Sequence, residues 1–288
     1  MPELPEAQTI ASDLNSALQG VTIADARILY RPIVQNPEPF LELCRGREIL
    51  EVKRLGKMIH FRLAGDCHLL VSLRMTGQFL LGQSGRSASS AAAATAATTA
   101  YPPHVHAVFN LASAAGPQGE DALFYRDARK FGRLLMVAPG EFAATLAKLN
   151  LGPDPFEIDP ERFAAALAHT QRAVKTVIMD QSLISGIGNI YAAEALFAAK
   201  IAPARPASSI NIREASRILE KTRAILTEAI QLRGSTVSNY SAPFGPGSYQ
   251  ERHLVYRQKG APCPVCRATL AQQAIGGRST VFCPRCQK

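Results

Sequence analysis

The pattern of hydrophobic and polar positions gives the chain a strand-rich first half. Before it, from Pro5 to about Leu18, apolar residues recur at the spacing of an amphipathic helix, and Gly20 ends the run. From Val21 to about Leu81, short apolar runs alternate with polar residues and are separated by glycines, as in antiparallel strands. Successive short strands of this kind predict a sandwich or a barrel.

An alanine-rich segment at residues 84–103 interrupts the strand pattern. Serine, threonine and glycine are mixed with the alanines, and the segment closes on Pro-Pro, which favours a mobile loop over a helix. We assign it no catalytic role. Strand-like runs continue after it as HAVFNL and ALFYRDARKFGRLLMV, and we treat the second as a single strand candidate.

After Pro139 the period of the pattern changes from two to about 3.6, which predicts helices. The first covers residues 141–149, and Asp159 caps a second that runs to about residue 169. AVKTVIMDQ and NIYAAEALFAAK predict two more, with the turn SLISGIGN between them. Asn211 and Glu214 form a capping-box variant that opens a long amphipathic helix.

Length and composition agree with a multidomain globular protein. The 288 residues suffice for two or more cores, and 47% of them are hydrophobic. No apolar run approaches the roughly 20 residues that span a bilayer, and the beginning lacks the pattern of a signal peptide, so we expect a cytoplasmic protein. The change of period and the cysteine-rich tail predict three domains, at residues 1–138, 139–257 and 258–288.

The formal net charge of +9 is concentrated at the end of the chain. From residue 251 to residue 288 there are seven basic residues against one acidic residue. A solvated charged face usually mixes both signs, so this excess favours a polyanionic partner, and nucleic acid above others.

Four of the six cysteines lie in the same basic tail. They form two C-x2-C pairs, Cys263 with Cys266 and Cys283 with Cys286. Two such pairs match the spacing of a zinc ribbon, in which each tight turn presents two thiolates to one ion. Two disulfides are the alternative, which the absence of a secretory signal disfavours. Cys44 and Cys67 stand in apolar context and are predicted to be inert core thiols.

Two further segments allow either a functional or a structural interpretation. The turn SGIGN runs into a helix whose first side chain is Asn189, so its backbone N–H groups could bind phosphate, although such turns often serve only tight packing. Arg129, Lys130 and Phe131 combine cations that can hold phosphates with an aromatic wedge that can enter a base stack. Local sequence alone nevertheless favours a strand with a core phenylalanine.

Met75 and Lys57 are less informative by themselves. Met75, in LRMTG, is by default a core methionine, and Lys57, before an apolar strand, is by default a solvated charge. The histidines of HVHAVF have no nearby cysteine or carboxylate set that indicates a metal.

In chain order, these segments resemble the formamidopyrimidine-DNA glycosylase (Fpg/Nei) family of base-excision repair enzymes. The resemblance extends over nearly the whole chain, and its specificity lies in the collinear order of the motifs. They are PELPE at 2–6, LGK ending at Lys57, MTG at 75–77, DARKFG at 127–132, MDQSLISGIGNIYAAEALF at 179–197, and the ribbon with Arg278 five residues before Cys283.

The resemblance implies an α+β multidomain fold. An N-terminal β-sandwich opens with a catalytic N-terminal helix, a helix–two-turn–helix domain follows, and a zinc β-hairpin with one structural Zn²⁺ ends the chain. It further implies a monomeric, nucleoid-associated DNA glycosylase/AP lyase acting on damaged double-stranded DNA. Such an enzyme excises oxidised purines (8-oxoguanine and formamidopyrimidines) through a Schiff base on its N-terminal proline and then performs β,δ-elimination.

The resemblance also implies roles for individual residues. Pro2 is the nucleophile, which requires removal of Met1, Glu3 is the general acid/base, and Lys57 and Arg278 assist. The residues implied to contact DNA either fill the gap left by the flipped nucleotide or hold phosphates beside it. They are Met75, Arg129 and Phe131 in the gap, and His104 and Asn189 on phosphates, with Lys130 counted among the DNA-binding cations.

One departure from the family pattern leaves the preferred base open. Ala128, where the family often has proline, is tolerable, but the segment 239–256 matches only loosely the loop that covers an oxidised purine in relatives. An oxidised-pyrimidine glycosylase and a non-catalytic damaged-DNA-binding protein are therefore the alternatives. Intact Pro2, Glu3 and Lys57 argue against the second of them.

Overall fold

The computed structural model describes residues 2–82, 101–112, 121–236 and 245–288. They form two compact units, one containing Ala7–Thr145 and the other Glu3–Glu6, Leu146–Thr236 and Gly247–Lys288. Most of the alanine-rich segment and part of the segment 239–256 lie outside the described residues, so our expectations for them stay predictions. Within the described ranges, no helix is both long and apolar enough to cross a membrane.

The first unit is an antiparallel β-sandwich, as predicted. Its strands are β1 (Thr22–Ile28), β2 (Arg47–Leu55), β3 (Met58–Leu63), β4 (Cys67–Ser72), β5 (Gly77–Gly82), β6 (Val105–Leu111), β7 (Ala122–Asp127) and β8 (Arg133–Val137). They follow the order β5-β7-β6-β1-β2-β3-β4-β8. Strands β1 and β2 pair antiparallel at Thr22 with Glu48 and at Ile23 with Arg47.

Helix α1 (Leu4–Leu18) begins the chain where the spacing of apolar residues predicted it. The side chains on one face of its later turns are buried with the interior of the sandwich. These are Ala7, Ile10, Ala11, Leu14 and Leu18. Helix α2 (Pro37–Cys44), in contrast, occupies a segment where the pattern indicated strands. Proline at the first helical position has a suitable φ and lacks only an N–H that would be unpaired there.

The run ALFYRDARKFGRLLMV is not one strand, and treating it as one was wrong. Strand β7 ends at Asp127, whose side chain is fully buried. Its carboxylate accepts hydrogen bonds from the N–H groups of Arg129 (3.1 Å) and Gly132 (2.7 Å) and from the hydroxyl of Thr76. These bonds turn the backbone into a loop, residues 128–132, before β8 begins at Arg133.

The helices of the second half follow the predicted order. They are α3 (Phe142–Leu149), α4 (Pro160–Ala168), α5 (Val174–Ile178), α6 (Asn189–Ala198) and α7 (Ile212–Gln231). The capping box of α7 is complete, because Asn211 Oδ1 accepts the N–H of Glu214 at 3.0 Å and the Glu214 carboxylate accepts the N–H of Asn211 at 3.1 Å. A hairpin of β9 (Ala271–Ile275) and β10 (Arg278–Phe282) ends the chain.

Candidate active site

The carboxylate of Glu3 caps the start of helix α6. Its oxygens accept hydrogen bonds from the backbone N–H groups of Gly188 (2.9 Å), Ile190 (3.0 Å) and Tyr191 (3.3 Å), and the side chain is buried. The first N–H groups of a helix have no partner within it, and the helix dipole favours an anion there. The sequence suggested phosphate for this turn, but in the structure a carboxylate of the chain itself binds these groups.

Two glycines of SGIGN allow residues 3 and 4 to approach this closely. A Cβ added at Gly188 would lie 2.4 Å from Cδ of Glu3, and one at Gly186 would lie 2.7 Å from Cδ1 of Leu4. The carbonyl of Gly186 also accepts the N–H of Leu4 at 2.9 Å. The turn therefore packs against the beginning of the chain, and both glycines are required by that contact.

Glu6 holds the same segment from a second side. One oxygen accepts the N–H of Glu3 (2.8 Å), and the other accepts the Tyr191 hydroxyl (2.6 Å) and the N–H of Ser235 (2.7 Å). Complete burial raises the pKa of Glu6, and the nearby charge of Glu3 adds to the effect. The N–H of Glu3 belongs to the peptide group that follows Pro2, so Glu6 binds the chain directly after Pro2.

Lys175 was missing from the residues singled out by sequence, although it is fully buried. Its ammonium donates to Asn189 Oδ1 and to Thr280 Oγ1, both at 2.7 Å. Burial lowers the pKa of Lys175 to about 8, against the opposing effect of Glu3. A charged residue is rarely fully buried without partners, but only the tertiary structure reveals which partners these are.

Lys175 thereby connects the start of α6 with strand β10. The side-chain amide of Asn189 donates to the carbonyl of Ser279 at 3.2 Å, and the exposed Arg278 directly precedes Ser279 in the hairpin. A cavity of about 390 Å³ opens beside them, and Asn189, Tyr256, Arg257, Gln272, Ser279 and Val281 line it. Two predicted site residues, Asn189 and Arg278, are thus brought together.

The segments MTG and DARKFG are bound to each other through the Asp127 carboxylate. The N–H of Arg129 donates to Thr76 Oγ1 at 3.2 Å as well as to Asp127. Met75 and Phe131 are 41% and 49% exposed, so neither is the core residue that local sequence favoured. The guanidinium of Arg129 lies 4.8 Å from the centre of the Phe131 ring. We call residues 128–132 the wedge loop.

The remaining predicted site residues occupy turns of the first unit. Lys57 is half-buried and lies between β2 and β3, next to Gly56. His104 is exposed and has a φ of 66°, and its carbonyl accepts the N–H of Asp127 at 3.0 Å. Lys130, on the wedge loop, has its ammonium 4.5 Å from the centre of the Tyr30 ring.

The sulfurs of Cys263, Cys266, Cys283 and Cys286 lie within 4.8 Å of one another. The Sγ atoms of Cys266 and Cys283 are 3.5 Å apart, and those of Cys263 and Cys286 are 3.9 Å apart. A tetrahedral zinc with Zn–S bonds of about 2.3 Å requires separations of roughly 3.8 Å, whereas a disulfide requires about 2.05 Å. The cluster therefore fits one structural zinc, as predicted.

The clustered thiols differ in their pKa: contact with the Cys266 side chain raises the pKa of Cys286 to about 12, and burial raises that of Cys283. The N–H of Ala268 lowers the pKa of Cys266 to about 7, towards the thiolate that binds metal. Cys44 and Cys67 are fully buried in the sandwich, and burial raises the pKa of Cys44, as expected for an inert core thiol.

Three family models match the chain in the order of its motifs. The formamidopyrimidine-DNA glycosylase N-terminal domain matches residues 1–134, and the H2TH domain of the same glycosylase matches residues 151–241. The zinc finger found in FPG and IleRS matches residues 260–288. Together they define a DNA glycosylase fold with a helix–two-turn–helix domain and a C-terminal zinc finger.

Relatives of known name resemble the chain along its full length. The formamidopyrimidine-DNA glycosylases of Bacillus cereus and Thermus thermophilus are each 37% identical, with all of this chain and 99% or 98% of the relative aligned. The crystal structure of the MutM (Fpg) protein from Thermus thermophilus has a TM-score of 0.83 at 37% identity, covering 99% of this chain and 98% of that one. The chain belongs to the formamidopyrimidine-DNA glycosylase family.

Complexes with DNA are among the similar structures. A Lactococcus lactis FPG mutant with Fapy-dG-containing DNA is 28% identical, with a TM-score of 0.87 and full coverage of both chains. The Lactococcus lactis Fpg with DNA containing an abasic site also has a TM-score of 0.87 at 28% identity, with 99% of both chains covered. Membership of this family makes the protein a DNA-binding enzyme.

Proposed function

We propose that this DNA glycosylase of base excision repair excises oxidised purines and then cuts the strand, with Pro2 as its nucleophile. The observation that carries the proposal is the arrangement of residues 2–6, in which Glu6 binds the N–H after Pro2 and the start of α6 binds the Glu3 carboxylate. A helix start needs no such buried pair of carboxylates. The relatives named for formamidopyrimidine and the Fapy-dG complex support an oxidised purine as the substrate.

In the proposed reaction, the Pro2 nitrogen attacks C1′ of the damaged nucleotide, and the C1′–N bond breaks as the base leaves with a proton. C1′ then carries both the Pro2 nitrogen and the ring oxygen O4′, and the C1′–O4′ bond breaks as O4′ takes a proton, which opens the sugar to an iminium. This cation makes the neighbouring C–H acidic and permits β- and then δ-elimination of the phosphates. A terminal amine has an ordinary pKa of about 8, against about 10.4 for lysine, so more of it is unprotonated near neutral pH. Glu3, adjacent in sequence, serves as the proton carrier.

The other predicted residues except Lys130 keep their assignments within this proposal. Lys57 and Arg278 assist at the sugar and its phosphates, while His104 and Asn189 hold phosphates. Met75, Arg129 and Phe131 fill the gap in the stack, and their exposure supports that role. We further propose that the chain divides into three domains, with boundaries at 138/139 and 257/258. We also propose that the protein acts as a monomer on double-stranded DNA and associates with the bacterial nucleoid.

The Schiff base is tested by trapping with borohydride on an 8-oxoguanine duplex. We expect a covalent protein–DNA adduct that peptide mapping by mass spectrometry locates on Pro2, in protein from which Met1 has been removed. The variant P2G is expected to lose at least about 90% of the adduct, since it replaces the secondary amine, whereas P37A, at the start of α2, retains it.

The proposal is contradicted if processed protein forms no adduct, or if the adduct maps to a lysine. A duplex containing 5-hydroxycytosine, compared in the same assay, separates the oxidised-purine specificity from the oxidised-pyrimidine alternative. Faster turnover on that duplex would overturn the proposed base preference but leave the chemistry at Pro2 intact.

A further inference from the structure

The side chain of Lys130 is engaged within the first unit. Its ammonium lies 4.5 Å from the centre of the Tyr30 ring, a distance at which a cation is attracted by the ring face. Lys130 has a φ of 59°, so its backbone adopts a conformation that costs a non-glycine residue about 1 kcal/mol. The contact with Tyr30 is therefore part of how the wedge loop is held.

Tyr30 is itself fixed in place by His106. The ring centres of the two residues are 5.2 Å apart, and the N–H groups of Leu29 and Tyr30 both donate to the carbonyl of His106, at 2.8 and 3.2 Å. His106 is buried, and its Nε2 lies 2.8 Å from the carbonyl oxygen of Asp127. Because a carbonyl can only accept, Nε2 carries the hydrogen, and His106 donates to the residue at the base of the wedge loop.

Asp127 and Tyr30 thus hold the wedge loop in two different ways. Asp127 binds its backbone, since its carbonyl accepts the N–H of Lys130 at 3.2 Å and its carboxylate accepts the N–H groups of Arg129 and Gly132. Tyr30 binds a side chain, that of Lys130. His106 joins the two supports, so the position of the loop depends on Tyr30 as well as on the buried carboxylate.

We propose that Tyr30 is a positioning residue for the wedge, and that Lys130 acts on DNA recognition through Tyr30 instead of through a phosphate. The cation–π contact keeps the loop in the conformation that leaves Arg129 and Phe131 exposed. Nothing in the sequence motif indicates this, since Tyr30 stands almost a hundred residues before the loop. The inference rests on the proposed function, because it assumes that Phe131 enters the duplex at the lesion.

The test compares Y30L, which keeps apolar volume but removes the aromatic face, with Y30F, which keeps the face. The readouts are the affinity for a duplex with an abasic-site analogue relative to an undamaged duplex, and the fluorescence of a 2-aminopurine placed opposite the analogue. For Y30L we expect about a two- to fivefold loss of that affinity ratio and a smaller fluorescence change, as the range of cation–π energies implies. Y30F restores both.

K130M provides the second arm and tells the two roles of Lys130 apart. If Lys130 acts through Tyr30, K130M reproduces Y30L, and the double variant is no worse than either, while undamaged-duplex affinity and its salt slope stay unchanged. A direct phosphate contact would instead lower the salt slope by about one and weaken both duplexes. Y101L serves as the control, because the Tyr101 ring packs against Phe124 and, within the described residues, has no ring contact with the wedge loop.

Circular dichroism and thermal melting confirm that each variant is folded before it is compared. The proposal is overturned if folded Y30L keeps the wild-type affinity ratio and fluorescence, or if K130M lowers the salt slope. These outcomes leave trapping at Pro2 unaffected. Failure of trapping in the wild-type protein, by contrast, would refute the proposed function and not the role of Tyr30.

Discussion

At the scale of single residues, the function of a motif depends on which partner reaches it. The backbone N–H groups of the turn SGIGN and the helix start after it can bind any anion. In the structure they donate to the carboxylate of Glu3. Gly188 has φ −132° and ψ −154°, a region of extended backbone. A glycine is required at position 188 because Glu3 lies so close, and not because of the backbone conformation.

We predict that G188A pushes the Glu3 carboxylate away from the start of α6. Overpacking of this kind costs about 1–3 kcal/mol of unfolding free energy, and we expect kcat to fall at least about tenfold because Glu3 is the proposed proton carrier. Urea unfolding and single-turnover excision measure the two effects.

A double-mutant cycle with E3A is the control for this prediction. E3A removes the Cγ, Cδ and Oε1 atoms that the new Cβ would meet, so G188A should cost less than about 1 kcal/mol in that background. Equal costs of G188A with and without the Glu3 side chain would show that the two residues do not clash.

At the scale of elements, strands β3 and β4 share a pair of histidines, the half-buried His60 and the buried His68, that the sequence did not single out. His60 Nε2 and His68 Nδ1 are 2.9 Å apart, and the Phe142 ring stacks on His68 with a centre separation of 3.9 Å. Burial lowers the pKa of His60 to about 4, the charge of His68 lowers it further, and Glu51 opposes the shift.

The histidine pair makes stability depend on pH in a definite direction. Between about pH 6.5 and pH 4 the unfolded chain binds more protons at His60 than the folded chain, so the free energy of unfolding falls as the pH is lowered through that window. We predict that H60Q reduces the loss of stability between pH 7.5 and pH 5 by about 1 kcal/mol, as urea midpoints will show.

The exposed His169, at the end of α4, provides the matched control for this pH dependence. H169Q should lose the same unfolding free energy between pH 7.5 and pH 5 as the wild-type protein. An unchanged pH dependence in H60Q would contradict the assignment to the β3–β4 pair.

At the scale of the second unit, the zinc ribbon acts on the DNA-binding residues through its hairpin. Strand β10 carries Arg278 and, two residues later, the buried Thr280 that accepts a hydrogen bond from Lys175. Lys175 also orients Asn189. A cluster of four thiolates that holds the hairpin thereby fixes residues on both sides of the Lys175 ammonium.

We predict that C266S abolishes the zinc content of about one ion per chain and weakens lesion-duplex binding at least about tenfold, because the hairpin no longer presents Arg278. Mass spectrometry of the metal and titration at several salt concentrations measure both, and the salt slope should fall by about one. C67A, in the sandwich core, should keep its zinc and its salt slope. A zinc-free C266S with normal binding would rule out a structural role for the metal in DNA binding.

Much of the fold was determined by the sequence itself. Periodicity located α1, most strands and the helices of the second half, because burial of one face repeats along each element. The capping box of α7 and the four-cysteine cluster were readable because their partners lie at short or fixed spacing. The order of the motifs was sufficient to predict the family.

Only the tertiary structure decided how the candidate site is arranged. Asp127 breaks a strand-like run because Thr76, 51 positions away, shares its buried carboxylate, and that break exposes Phe131. Glu3 accepts the N–H of Gly188, the residue 185 positions later that precedes helix α6, and Lys175 reaches across 105 positions to Thr280. Local patterns report which faces are buried, but a buried polar group must satisfy its hydrogen bonds wherever the fold supplies a partner, and that choice is not encoded in neighbouring residues.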